Sequence, residues 1–168
     1  LIIGRTFDKH CSDTINEWFG ALKDCGKYTV SEDVKAKINE LFAAGYCDDE
    51  MTKATISETY SDYNYLADTH TAVAINVCNS YEAKTGDKTP VVIASTASPF
   101  KFSKAVLSAV DKENKEYDDE FATVAALEDI SSLKAPEQLA ALKGKEVRFN
   151  KVTSKEDMAQ VVFDMLGI

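Results

Sequence analysis

The chain has 168 residues, 45% of them hydrophobic and 28% charged, which is enough for one domain with a real core and is an ordinary globular composition. Its net charge of −9 leaves no basic stripe to neutralise phosphates, so nucleic acid is not an expected partner. No apolar run approaches the roughly 18 residues of a membrane span, so no membrane partner is expected either.

The start at Leu1 rather than Met, without a signal-peptide pattern, predicts a processed or excised piece, and Leu1-Ile2-Ile3 is an apolar start. Residues 12–25 place Ile15, Trp18, Phe19 and Leu22 on one helix face, with Ser12 as N-cap and Gly26 as the stop. Residues 32–43 repeat the scheme with Ser31 as cap, Val34, Ile38, Leu41 and Phe42 on the face, and Gly45 beyond the end. A third helix is predicted over 49–61, opened by Asp48 and Asp49, which suit the positive end of a helix dipole. Residues 71–84 carry small or apolar side chains nearly all round, the pattern of a helix buried on most sides.

Gly86-Asp87-Lys88 marks a turn, and Val91–Ser95 reads as a buried strand running into a helix over 100–111. Ser98 is placed to cap that helix and Pro99 to start it. A helix, a short turn, a strand and a helix make half of a parallel α/β unit. The charge run 112–120 reads as a solvated linker, followed by short helices over 121–129 and 136–142. Glu146-Val147-Arg148-Phe149 alternates like a short strand. Thr153-Ser154-Lys155-Glu156 forms a capping box for a last helix carrying Met158, Val161, Val162, Met165 and Leu166.

Cys11, Cys25, Cys47 and Cys78 are widely and irregularly spaced, and His10 and His70 are the only histidines. Zinc sites need closely paired ligands, so no metal is expected, and the thiols read as reduced cysteines of a cytoplasmic protein. The chemistry concentrates at two places. Ser95 and Thr96 put neutral hydroxyls at the end of the expected strand, with Lys101 one turn into the following helix. Asp68-Thr69-His70-Thr71 opens the 71–84 helix with a polar cluster that needs partners if buried. Plain capping and turn-making are the alternative readings of both places. No glycine-rich phosphate loop, Walker motif or Ser/His/Asp set is present.

Asp68-Thr69-His70-Thr71-Ala72-Val73-Ala74 and Val92-Ile93-Ala94-Ser95-Thr96-Ala97-Ser98-Pro99-Phe100-Lys101-Phe102 resemble the C-terminal half of the bacterial and fungal-type threonine synthase family. That family shows an Asp-Pro-His-Thr-Ala-Val helix start and a Ser/Ala-Thr-Ala-His-Pro-x-Lys-Phe strand end. Gly26–Val30, Phe42-Ala43-Ala44-Gly45 and the closing strand and helix look similar too, so the likeness spans about residues 12–168, while residues 1–6 match nothing.

The resemblance implies the C-terminal part of an α/β, fold-type II enzyme dependent on pyridoxal 5'-phosphate, helix-rich with a short parallel sheet. Residues 1–66 would form a helical subdomain, and 67–168 the C-terminal part of the cofactor-binding domain. The implied reaction converts O-phospho-L-homoserine and water to L-threonine and phosphate. The family's Schiff-base lysine and phosphate cup lie in an N-terminal half that this sequence lacks, so the isolated chain is expected to be inactive, with no catalytic residue of its own. Carried over by motif, Thr96 matches the hydroxyl at the cofactor's ring nitrogen, with Ser95 beside it. His70, Thr71 and Lys101 match positions near the substrate or its phosphate. Thr69 stands where many members have Pro and Ser98 where many have His, so a ligand contact through that His is not carried over. A sister phospholyase or dehydratase, and a non-catalytic binding module of the same fold, are the alternatives. Oligomeric state is not read from the sequence.

Overall fold

A computed structural model describes residues 11–113 and 115–168. The apolar start Leu1–Ile3, His10 and Asn114 in the charge run lie outside the described residues. Helix α1 is Cys11–Cys25, ended by Gly26 at φ 72° with its N–H on Leu22 O at 2.9 Å. Beyond that stop Tyr28 folds back to stack on Trp18, with ring centroids 5.7 Å apart. Helix α2, Glu32–Leu41, is capped by Ser31, whose hydroxyl accepts from Val34 N. Helix α3, Asp49–Tyr63, is capped by Asp48 accepting from Met51 N at 2.8 Å, and ends in Asn64 at φ 53°. Asn64 N bonds Tyr60 O at 2.9 Å, the bond of a left-handed αL stop, and Tyr65 N reaches Thr59 O at 3.5 Å.

Helix α4, Thr69–Thr85, follows after one short turn. A 3-10 turn, Pro99–Phe102, capped by Ser98, leads into α5, Ser103–Val110. Helix α6 is Glu120–Ser131, capped by Asp119. A short α7, Glu137–Ala140, runs into a 3-10 turn, Ala141–Gly144, and α8 is Met158–Leu166. The expected capping box of α8 is displaced. Ser154, not Thr153, accepts from the amide of Asp157 and donates to its carboxylate, one residue beyond the expected partner Glu156.

The packed centre is α3 against α4 and α5, with α6 laid on α5. Ile56 comes from α3, Leu66 and Ala67 from the turn, Ala72 from α4, Phe100 from the 3-10 turn, Val106 and Leu107 from α5 and Leu127 from α6. The face that α3 turns to its neighbours carries Thr52, Thr55 and Thr59, all buried. Thr52 and Thr55 return their hydroxyls to carbonyls one turn back, Asp48 O and Met51 O, so they need nothing from across the interface. Thr55 also accepts from Asn76 of α4 at 3.0 Å.

The expected α/β character is not found. Among the described residues there is no strand, and the short parallel sheet is replaced by an all-helical arrangement. A strand is defined by its partner, and neither apolar run has one. Val91 is 61% and Val92 96% exposed, and Val147 and Phe149 are 68% and 71% exposed. Burial along α4 also falls short of the all-round apolar pattern. Only Thr71 and Ala72, in its first turn, are fully buried, and the remainder grades to solvent. Likewise the apolar stripes of α1 and α2 are largely open, with Phe19, Leu41 and Phe42 exposed. No helix among the described residues is long and apolar enough to cross a membrane.

Gly45, in the chain before α3, lies close against α4. A Cβ there would lie 2.8 Å from Val77 Cγ1 and 3.2 Å from Cγ2. Valine is stiff at χ1 and cannot swing aside cheaply. Gly45→Ala should therefore cost about 1–3 kcal/mol by urea denaturation, and Val77→Ala in the same chain should return most of it, a coupling that an isolated surface site would not show. Ile56→Ala, at a position with no exposure, should cost about 2–5 kcal/mol in the same assay.

Candidate functional site

The two sequence motifs meet at the start of α4. Leu66 and Ala67 are buried and hold the turn in place, so the next residue, Asp68, enters the protein with its side chain fully enclosed. An enclosed carboxylate is costly unless it is fully hydrogen-bonded. Asp68 Oδ1 accepts from His70 N at 2.9 Å and from Thr71 N at 3.4 Å, the N-cap bonds of α4, and Oδ2 accepts from the Thr71 hydroxyl. Among the described residues no buried side-chain nitrogen or oxygen lacks a partner.

Thr71, 3% exposed, carries the connection onward. Its Oγ1 lies 3.2 Å from Ser95 Oγ, across a sequence separation of 24 residues. Tyr65, on the turn after α3, donates its hydroxyl to the same Ser95 Oγ at 3.3 Å. The second motif is anchored at its far end by Phe100, buried in the core, and Ser103, buried at the start of α5. Ahead of that anchor, between α4 and the 3-10 turn, residues 90–96 cross the surface. Thr96 is exposed, and among the described residues its hydroxyl makes no hydrogen bond.

His70 is exposed at the rim, its Nδ1 3.5 Å from Asp68 Oδ1 and 3.4 Å from Thr69 Oγ1. Its ring packs on Phe102 with centroids 4.9 Å apart, and Lys101 Nζ stands 5.5 Å from the Phe102 centroid. The outcome is a shelf: an exposed hydroxyl pair on one side and an imidazole, an aromatic ring and an ammonium on the other.

Of the five expected site residues, the structure joins Ser95 and Thr71 directly. It brings His70 and Lys101 onto the common neighbour Phe102, and it leaves Thr96 free beside Ser95. Two participants had no assigned place. Phe102 closes the Val92–Phe102 motif, and Tyr65 belongs to neither motif. An aromatic hydroxyl right after a left-handed stop is the only sequence signal Tyr65 gives. A cavity of about 800 Å³ lies between the 3-10 turn, α5 and α6, with Leu107, Tyr117, Phe121 and Val124 among its walls. It shares Lys101 and Phe102 with the shelf but takes in neither the Ser95 nor the Thr96 hydroxyl. Among the described residues no three His, Cys, Asp or Glu side chains are grouped to hold a metal. Cys25, Cys47 and Cys78 are free thiols.

Residues 71–162, more than half of the chain, match the family described as threonine synthase, C-terminal. The chain is 28% identical over 159 residues to the threonine synthase of Saccharomyces cerevisiae, covering 92% of this chain and 30% of that protein. It is 32% identical over 105 residues to the threonine synthase of Pseudomonas aeruginosa, covering 61% of this chain and 22% of that protein. Against threonine synthase-like 1 of Homo sapiens it is 32% identical over 96 residues, covering 57% of this chain and 12% of that protein. A crystal structure of a PLP-bound threonine synthase from Brucella melitensis superposes with a TM-score of 0.70 at 23% identity, over 98% of this chain and 30% of that one. The chain thus spans less than a third of the length of each of these relatives.

Asp68→Ala should lower stability by about 1–3 kcal/mol in urea denaturation, from a lost cap and a stranded Thr71 hydroxyl. Asp68→Asn keeps an acceptor for the two amides and should cost well under half of that.

Proposed function

The chain belongs to the threonine synthase C-terminal family, and on that footing we propose that it supplies the ring-side wall of a pyridoxal phosphate site in an enzyme converting O-phospho-L-homoserine and water to L-threonine and phosphate. The observation that carries this reading is the contact between Thr71 Oγ1 and Ser95 Oγ, because it draws both family-like motifs into one place. In this reading residues 67–168 are the C-terminal part of the cofactor-binding domain and residues 1–66 a helical subdomain.

The donor set suits a pyridine ring. Its nitrogen is met by neutral hydroxyls, Thr96 and Ser95, while the one carboxylate nearby, Asp68, is enclosed and already bonded. A hydroxyl at that nitrogen does not hold it protonated as a carboxylate would, so the ring is a weaker electron sink, which suits elimination and replacement over transamination. When bound, pyridoxal phosphate supplies the sink for charge developing on the substrate carbons. This chain's own groups bind and orient. Lys101 carries a positive charge toward the phosphate of the substrate, and His70, braced on Phe102, lines the same edge. Thr71 acts from behind, through Ser95. Proton transfer falls to the lysine that the resemblance places upstream, and phosphate is held by a cup that lies there too.

A sister phospholyase is the alternative that the same test separates. The test uses the whole polypeptide that contains this chain. A bound-cofactor absorbance band, with phosphate release and threonine formation from O-phospho-L-homoserine, supports the proposal. Thr96→Ala should then weaken cofactor affinity about tenfold, the loss of one positioned hydrogen bond. A cofactor band with phosphate release but no threonine supports the sister lyase. The 168-residue chain alone should form no cofactor adduct and turn over no substrate, and turnover by it would overturn the reading.

A further inference from the structure

The cavity between the 3-10 turn, α5 and α6 has a chemistry of its own. Its volume of about 800 Å³ falls within the roughly 300–1,000 Å³ of small-molecule clefts. Leu107, Val124 and Leu139 give it aliphatic walls, the first buried and the others half-buried. Phe102, Tyr117 and Phe121 give it aromatic ones, all half-buried. Among the described residues none of these three rings is stacked on another of them, so they do not cover one another's faces.

The charged groups around the cavity do not balance. Asp111 is used within the chain, accepting from the amides of Glu113 and Lys115 at 2.9 and 3.2 Å, and Asp119 caps α6. Lys115 is tied to Glu113 at 2.6 Å. That leaves the carboxylates of Glu116, Asp118 and Glu120, which have no hydrogen bond or ion pair among the described residues, against Lys101 and Lys104. Aromatic faces attract cations, and surplus carboxylates do the same. One of the rings already holds one, since Lys101 Nζ stands 5.5 Å from the Phe102 centroid.

We propose that this cavity binds a small organic cation, an amine or quaternary ammonium on an apolar body, and that Lys101 competes with the ligand's charge for Phe102. The apolar body lies against the aliphatic walls. The cationic head is held by ring faces and by the carboxylates at the rim. An anion of the same shape meets the same walls but the wrong surplus of charge. The proposal does not rest on the cofactor reading, because the cavity takes in neither Ser95 nor Thr96.

Titration calorimetry on the whole polypeptide, at low ionic strength, tests it with three probes that share a phenyl body. These are phenethylammonium, phenethyl alcohol and hydrocinnamate. The ammonium should bind about tenfold more tightly than the alcohol, and the carboxylate should not bind. Equal affinity for ammonium and alcohol, or a preference for the carboxylate, would overturn the proposal.

Variants then locate the binding. Glu116→Gln combined with Asp118→Asn changes two exposed side chains and should weaken the ammonium about threefold while leaving the alcohol unchanged. Phe121→Leu keeps an apolar wall but removes a ring, and should also weaken the ammonium about threefold. The exposed pair keeps the test valid if Phe121→Leu does not fold. Lys101→Gln should act in the opposite direction and tighten the ammonium, since it removes the competing charge. Ammonium binding indifferent to the exposed pair and to Phe121→Leu would place the ligand elsewhere and sink the proposal. Weaker binding in Lys101→Gln would overturn the competition. No readout needs pyridoxal phosphate or turnover, so a failure of the cofactor reading would leave each of these outcomes as informative as before.

Discussion

The enclosed carboxylate of Asp68 is the constraint on which the rest of the arrangement depends. It caps α4, it receives the Thr71 hydroxyl, and through Thr71 it sets where Ser95 lies relative to the helix. Such a group cannot drift, because each bond it gave up would leave charge in a region closed to water. The turn that delivers it is held at both edges, by the left-handed stop at Asn64 and by the buried pair Leu66 and Ala67. A loop of a few residues is thereby as well defined as the helices it joins.

Around that point the burial is uneven. The centre formed by α3, α4, α5 and α6 encloses Ile56, Val106 and Leu127 completely. Away from it, α1, α2 and α8 are amphipathic helices whose apolar sides are largely open, with Phe19, Leu41, Met165 and Leu166 all exposed. The shelf sits where the well-packed part reaches the surface. Its backing, Thr71 and Asp68, belongs to the core, and its working edge, Thr96, Lys101 and His70, is exposed. Rigid backing with an open edge is the arrangement a binding site needs.

Helices were legible because their signals are local. Ser31, Asp48, Asp68 and Ser98 each cap where a short polar side chain precedes a periodic run, and Gly26, Gly86 and Gly167 each close a helix at positive φ. The polar start of α4 was legible as a place that needs partners, and Ser95 proved to be among them. The strands were misread for a reason that is equally physical. Val91–Ser95 has the composition of a buried strand, but pairing is a property of two segments, and composition reports only one. Tyr65 escaped notice because its partner lies 30 residues away, beyond the reach of any local pattern.

The surface crossing of residues 90–96 also bears on how this chain behaves in company with itself. Among the described residues the backbone groups there form no hydrogen bonds, and Val91 and Val92 stand in solvent. An extended apolar run with open N–H and C=O groups is a template for strand addition between molecules. What opposes that association is long-range repulsion, since every copy carries a net charge of −9. The two influences differ in range, and dissolved salt weakens only the repulsion over distances beyond about 8–10 Å. Colloidal stability of the chain is thus tied to ionic strength through a segment that contributes little to the stability of its fold.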